Sequence, residues 1–98
     1  MKTLEEIKQI LVVHKGKLKD RFWVKEIGIF GSIVRGEQKE TSDVDILVEF
    51  EKPIGWDVVD LADYLEGILH IKVDLVLKGG VVRKPALWNY IKKELVYV

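Results

Sequence analysis

Two aspartates one residue apart, Asp43 and Asp45, are the first side chains in this sequence whose spacing could do chemistry. The segment DVDILVEF at 43–50 alternates polar and apolar residues, which predicts a strand with both carboxylates on one face. Two adjacent carboxylates repel one another, and a divalent cation such as Mg²⁺, which prefers oxygen ligands, relieves that repulsion. Pairs of this kind are also common on solvated strand faces, so plain surface charge is the alternative.

A third acid, Asp74, lies in the middle of the apolar run IKVDLVL at 71–77, which predicts another strand. If this strand neighbours the one at 43–50, three aspartates from two strands meet at one edge of the sheet. Such a set would hold two Mg²⁺ ions, one activating an attacking hydroxyl and one carrying the phosphates of a nucleotide. The alternative for Asp74 is an ion pair with Lys72.

The stretch GSIVRG at 31–36 follows directly on a predicted strand, VKEIGIFG at 24–31. A glycine at the end of a strand lets the backbone approach a ligand closely, and Gly31 has that position. Ser32 would open a short helix and offer its hydroxyl and nearby N–H groups to an anion. An ordinary helix N-cap is the alternative for this pair of residues.

Arg35 lies one helical turn after Ser32 and could reach the same side of the site. A guanidinium group binds phosphate through two parallel hydrogen bonds, which makes Arg35 a candidate phosphate ligand. The competing assignment is a structural ion pair with Glu37 or with one of the aspartates.

The remaining pattern indicates which elements position these residues. Helical spacing recurs near the start of the chain, between Trp56 and Leu69, and after Pro85. Thr3 fits the N-cap of the first helix, whose apolar stripe could extend to Leu18. The predicted order, αβαβαβα, is an α/β (α+β) fold: a small mixed sheet with flanking helices, in one domain spanning residues 1–98. Spacing alone does not settle whether neighbouring strands are parallel.

Smaller features carry their own expectations. The tryptophans Trp23, Trp56 and Trp88 are predicted mostly as core residues, with an interface anchor as the alternative for one of them. The pair Gly79-Gly80 is predicted to form a turn, with a flexible edge near the nucleotide as the alternative. The last residues, 95–98, could pack internally or add an edge strand to a partner.

The composition excludes several classes of protein. Sixteen basic and sixteen acidic residues cancel, so no overall field favours direct binding of DNA or RNA. No cysteine is present, which excludes disulfide frameworks and thiolate metal sites and suits a reducing compartment. No apolar run approaches the roughly 18 residues of a membrane span, and the sequence therefore predicts a cytoplasmic protein.

The combined segment GSIVRGEQKETSDVDILVEF, followed by KVDLVL, resembles the signature of the DNA polymerase β-type nucleotidyltransferases. The short chain is similar to the minimal nucleotidyltransferases of that superfamily, which are encoded beside HEPN-domain toxins as toxin–antitoxin pairs. The resemblance implies transfer of a nucleoside monophosphate, usually AMP from ATP, to a hydroxyl with release of pyrophosphate. It also implies that the acceptor is a tyrosine on the HEPN toxin, with the chain acting as a type VII-like antitoxin.

The resemblance further implies a role for each site residue. Gly31 and Ser32 would hold the triphosphate, with Arg35 beside them. Asp43 and Asp45 would ligate both Mg²⁺ ions, and Asp74 would ligate the catalytic ion and help to deprotonate the acceptor. Two other functions stay open: an antitoxin that neutralises its partner by binding alone, and a transferase that modifies a small molecule of the aminoglycoside type. The sequence also leaves open whether the chain forms a homo-oligomer or a hetero-oligomer.

Overall fold

The computed structural model describes residues 2–98 and shows a four-stranded sheet with helices on both faces. The elements, in chain order, are α1 Leu4–Val13, α2 Lys15–Phe22, β1 Val24–Phe30, α3 Ser32–Arg35, β2 Val44–Phe50, α4 Asp57–Leu69, β3 Val73–Leu77, α5 Lys78–Val81, α6 Pro85–Glu94 and β4 Val96–Tyr97. The predicted mixed α/β class with flanking helices is confirmed.

The sheet has the strand order β3-β2-β1-β4. Strand β2 pairs antiparallel with β1 and parallel with β3, and β4 pairs antiparallel with β1. The parallel pair forms because α4 carries the chain back to the end of the sheet where β2 begins. This arrangement answers the question that spacing left open, since the strand at 73–77 is a direct neighbour of β2.

The larger core lies between one face of the sheet and α1, α2 and α4. The alternation predicted for β2 is confirmed, because Val44, Ile46 and Val48 are all buried on this face. Helix α4 meets them with residues four apart, Leu61, Leu65 and Leu69, each fully buried. Burial of this apolar surface is what fixes the register of β2 and therefore the side to which its acidic residues point.

A second, smaller core lies on the opposite face of the sheet. Phe30 of β1 and Leu47 of β2 pack there against Val81 and Ile91, which belong to α5 and α6. Leu47 shares its face with Asp45, so the same side of β2 is apolar in its middle and acidic where the strand begins. The end of α6 therefore comes to lie beside the acidic end of the sheet.

The first helix begins as predicted and ends earlier than its apolar stripe suggests. The Thr3 hydroxyl accepts a hydrogen bond from the Glu6 N–H at 3.2 Å, and the Glu6 carboxylate accepts one from the Thr3 N–H. This capping box satisfies two of the free donors at the helix start. The helix stops at His14, and the following helix α2 presents Leu18 to the core and its lysines to solvent.

Two local predictions were wrong. Gly79 and Gly80 lie inside the short helix α5 and do not form a turn. Trp56 is 89% exposed and Trp23 is 41% exposed, so neither is a core residue, whereas Trp88 packs partly buried against the second core. The C-terminal segment packs internally, because Val96 pairs with Ile29 of β1. No helix within residues 2–98 combines the length and apolar character that crossing a bilayer requires.

Candidate active site

Asp45 and Asp74 are direct register partners across the parallel pair β2 and β3. Partners in neighbouring strands point to the same face, and neighbouring strands lie roughly 4.8 Å apart. Asp43 immediately precedes β2, two residues before Asp45, and its negative charge acts on Asp45. Asp45 and Asp74 thus lie side by side at one end of the sheet, and Asp43 lies two residues before Asp45 along the chain.

Asp45 is the most enclosed of the three acids, while Asp43 and Asp74 are exposed. The pKa of Asp45 is raised to about 6, first by partial burial, then by the charge and a hydrogen bond of Asp74, and then by the charges of Asp43 and Glu94. A bound cation would stabilise the ionised form of Asp45, because its attraction would offset the repulsion from the three neighbouring carboxylates.

The donor set suits Mg²⁺ in kind, because it consists of carboxylate oxygens at an accessible edge. The side chains are not gathered into a closed cage: within residues 2–98 no group of three His, Cys, Asp or Glu side chains is arranged to enclose a metal ion. The pair Asp45 and Asp74, with Asp43 at the rim, corresponds to a site that uses few protein ligands. Mg²⁺ commonly binds in that way, with one or two carboxylates plus substrate phosphates.

Gly31 lies between β1 and α3 in a backbone conformation that other residues avoid, with φ +86° and ψ −157°. A Cβ atom at this position would overlap the carboxylate of Asp45. The sequence predicted that glycine permits close approach of a ligand. The structure gives a second reason for the glycine, since the aspartate of β2 itself packs against this backbone.

Ser32 is the first residue of the short helix α3, as the sequence predicted. It is partly buried, and α3 ends after one turn at Gly36, whose φ is +72°. The turn is closed by a hydrogen bond from the Glu37 N–H to the Ser32 carbonyl at 2.9 Å. Ser32 therefore lies at the start of a single tight helical turn, directly after Gly31.

Arg35 forms ion pairs, and its main partner is one that the sequence reasoning missed. Its Nε donates to Glu37 at 3.1 Å, which is one of the predicted alternatives. Its Nη1 donates to both carboxylate oxygens of Glu94, at 3.0 and 2.8 Å, and to the hydroxyl of Tyr90 at 3.3 Å. These bonds, those to Glu94 first and then that to Glu37, raise the pKa of Arg35 above its ordinary value.

Glu94 belongs to the site although it lies 59 residues from Arg35 in the chain. One of its oxygens also accepts a hydrogen bond from the Gly31 N–H at 3.3 Å. No local pattern could pair these residues. One signal was available: Glu94 ends α6, where the helix dipole disfavours negative charge, and a misplaced acid indicates a specific partner.

The sheet order, the paired acids and the glycine loop beside them define the nucleotidyltransferase class, and the comparison of sequences agrees. Residues 5–98 match the family described as "Nucleotidyltransferase domain", and the chain belongs to that family.

Individual relatives indicate which kind of nucleotidyltransferase the chain is similar to. The protein adenylyltransferase MntA of Thermococcus cleftensis is 52% identical over 99 residues, covering 100% of this chain and 98% of the relative. A solved structure described as a proposed minimal nucleotidyltransferase is 31% identical with a TM-score of 0.72, covering 92% of this chain and 93% of that one. A toxin–antitoxin crystal structure with AMP-PNP is 28% identical with a TM-score of 0.57, covering 72% of this chain and 56% of that one.

Proposed function

We propose that this chain is a protein adenylyltransferase that transfers AMP from ATP to a tyrosine hydroxyl on a HEPN-domain toxin and thereby acts as its antitoxin. The observation that carries the proposal is the register pairing of Asp45 and Asp74 on one face, with Gly31 against them. The relative named MntA protein adenylyltransferase and the similar toxin–antitoxin structure with AMP-PNP support the type of reaction and the type of partner.

The reaction forms a bond from the tyrosine oxygen to the α-phosphorus and breaks the bond from that phosphorus to the pyrophosphate oxygen. Gly31 and Ser32 would hold the triphosphate through backbone N–H groups and the serine hydroxyl. Asp74, which is exposed, would accept the proton of the tyrosine hydroxyl. Two Mg²⁺ ions held by Asp43, Asp45 and Asp74 would supply positive charge for the phosphates and for the acceptor oxygen.

The exposure of the site favours an acceptor that belongs to another protein. Asp43 and Asp74 are both exposed, so the acidic end of the sheet is open to solvent. Electrostatic catalysis is most effective where water is excluded. A docked partner that carries the tyrosine would exclude water from the site. In this proposal, residues 1–98 act as a single domain, and the protein works in the cytoplasm.

The proposal is tested by incubating the chain and its partner toxin with Mg²⁺ and ATP labelled at the α-phosphate. The wild type should label the toxin on tyrosine, and the double variant Asp43→Asn with Asp45→Asn should reduce the labelling rate by a factor on the order of 10²–10³. Asp63→Asn, an exposed acid on α4, is the matched control and should label at the wild-type rate.

The same double variant separates catalysis from occlusion. Catalysis predicts that it binds the toxin and fails to neutralise it. If it neutralises the toxin as well as the wild type does, binding alone is the mechanism and the proposal is wrong.

A further inference from the structure

The carboxylate of Glu94 accepts hydrogen bonds from two groups that could also bind an anionic ligand, the Gly31 N–H and the Arg35 guanidinium. Its Oε1 accepts hydrogen bonds from the Gly31 N–H at 3.3 Å and from Arg35 Nη1 at 3.0 Å, and its Oε2 accepts from the same nitrogen at 2.8 Å. The Glu94 side chain is only 14% exposed, whereas Glu37, the other acid on Arg35, is 65% exposed. Glu94 is therefore the inner partner, and it faces the site.

The local charge shows what this contact does to the site. Arg35 carries one positive charge and contacts two carboxylates, so the cluster of three side chains is net negative. Asp45 adds further negative charge close by, since Glu94 is near enough to act on it. A phosphate that approached this cluster would be repelled, and neither the arginine nor the Gly31 N–H is free while Glu94 holds them.

The backbone of Glu94 has little freedom to move away. Two residues later, Val96 pairs with Ile29 of β1, and Ile91 anchors α6 in the second core. The side chain, in contrast, joins Arg35 and Gly31 through hydrogen bonds at its tip, and a change of its rotamer would release both groups.

We propose that, in the nucleotide-free chain, the Glu94 carboxylate occupies the place that a phosphate of the nucleoside triphosphate takes on Arg35 and Gly31, and that the nucleotide displaces it. This inference rests on the proposed function. A tethered carboxylate competes with the incoming phosphate, so Glu94 sets the affinity of the site for the triphosphate. The two donors stay satisfied in the free protein, and the site is ready to exchange one anion for another.

The test is calorimetric titration of a non-hydrolysable ATP analogue and of inorganic triphosphate, both with Mg²⁺, into the wild type and Glu94→Gln. The variant keeps the shape of the side chain and removes its charge. We expect both ligands to bind about tenfold more tightly, because the competition acts on phosphates and not on the base. The matched control is Glu51→Gln, an exposed acid at the other end of β2, which should bind like the wild type.

Combining the variants assigns the effect to the arginine. In an Arg35→Ala background the gain from Glu94→Gln should shrink to less than about threefold, because the main shared partner is absent. A full tenfold gain without Arg35 would contradict the proposed exchange. Unchanged or weaker binding by Glu94→Gln would also overturn it, since the carboxylate would then not compete with phosphate.

A measurement on the unmodified chain tests the inference even if the Glu94→Gln variant does not fold. With glutamate carboxyl carbons labelled with ¹³C, the Glu94 resonance should shift on saturation with the ATP analogue, and the Gly31 amide should shift with it. If the nucleotide saturates the site and the Glu94 signal does not move, the inference is wrong while the proposed function stands. If no triphosphate binds to any form of the chain, the proposed function itself fails.

Discussion

At the scale of single residues, the site depends on the fit between Gly31 and Asp45. The glycine has a backbone conformation that L-residues rarely adopt, and the space where a Cβ would lie is filled by the aspartate. The Asp45 carboxylate can lie at the end of the sheet because Gly31, directly after β1, has no side chain in that space. The Asp45 carboxylate is half-buried and lies next to the negative charge of Asp74, so a bound cation would stabilise it.

Gly31→Ala should inactivate the protein and destabilise it. The substitution adds the strain of a glycine-only conformation, about 1–3 kcal/mol, to an overlap with Asp45. Gly36→Ala is the matched control, because Gly36 also has positive φ but has open space around it. It should cost only about 1 kcal/mol in the free energy of unfolding, measured by urea denaturation. Equal losses of stability in the two variants would contradict the packing of Asp45 on Gly31.

Asp45→Asn should stabilise the metal-free chain at neutral pH. The pKa of Asp45 in the folded chain, about 6, lies above the ordinary value of 3.8. Between these values the folded chain binds more protons than the unfolded chain, so stability is lost as pH rises through this window. Thermal unfolding in EDTA should show a higher melting temperature for the variant at pH 8, by a few degrees since Asp45 is partly solvated. Near pH 3.5 the gain should vanish, and an equal gain at both pH values would refute the assignment.

At the scale of elements, the pairing of β2 with β3 brings the acids together, and α6 adds the groups around them. Helix α4 makes the parallel pairing possible, since it returns the chain along the larger core. On the other face, α6 is fixed by Ile91 in the second core, and this anchor holds Glu94 against Arg35. The smaller core therefore positions a side chain of the candidate site, Glu94.

Ile91→Ala should loosen α6 and disturb the site together. Ile91 is 2% exposed, and such a truncation typically costs about 2–5 kcal/mol. Leu87→Ala, one turn earlier on the same helix, is the control, because Leu87 is 45% exposed and should cost less than about 1 kcal/mol. Chemical denaturation measures both values. Similar losses for the two residues would show that α6 does not pack through Ile91.

At the scale of the whole molecule, the chain places its candidate site at an edge of the sheet that is open to solvent. Asp43 and Asp74 are exposed there, and the balanced charge of the chain draws no polyanion to the surface. A partner protein would complete such a site by bringing the acceptor hydroxyl and excluding water. A small acceptor would not exclude water from these exposed carboxylates.

The isolated chain should therefore fail to modify small hydroxyl compounds. Free tyrosine or an aminoglycoside, incubated with the chain, Mg²⁺ and labelled ATP, should gain label at least about 100-fold more slowly than the partner toxin does. Chromatographic separation of labelled products measures the two rates, with the double variant of Asp43 and Asp45 as the background. Efficient labelling of an aminoglycoside would contradict the assignment to a protein acceptor.

The sequence predicted what depends on local periodicity. Alternation in β2 identified the face of Asp45, and the glycine followed by serine identified the end of β1. It did not predict Glu94 or the packing of Asp45 on Gly31, because both contacts join residues far apart in the chain. The prediction that Trp56 is a core residue was wrong for a related reason. A large apolar side chain is buried only where the fold supplies a neighbour to cover it.

The proposed metal and triphosphate site is tested most directly by anomalous diffraction from crystals of the chain grown with a non-hydrolysable ATP analogue and with Mn²⁺ in place of Mg²⁺. We expect metal peaks within bonding distance of the Asp45 and Asp74 carboxylates, with the triphosphate beside Gly31 and Ser32. Metal or triphosphate bound on another face of the sheet, with these aspartates uncoordinated, would contradict the proposed site.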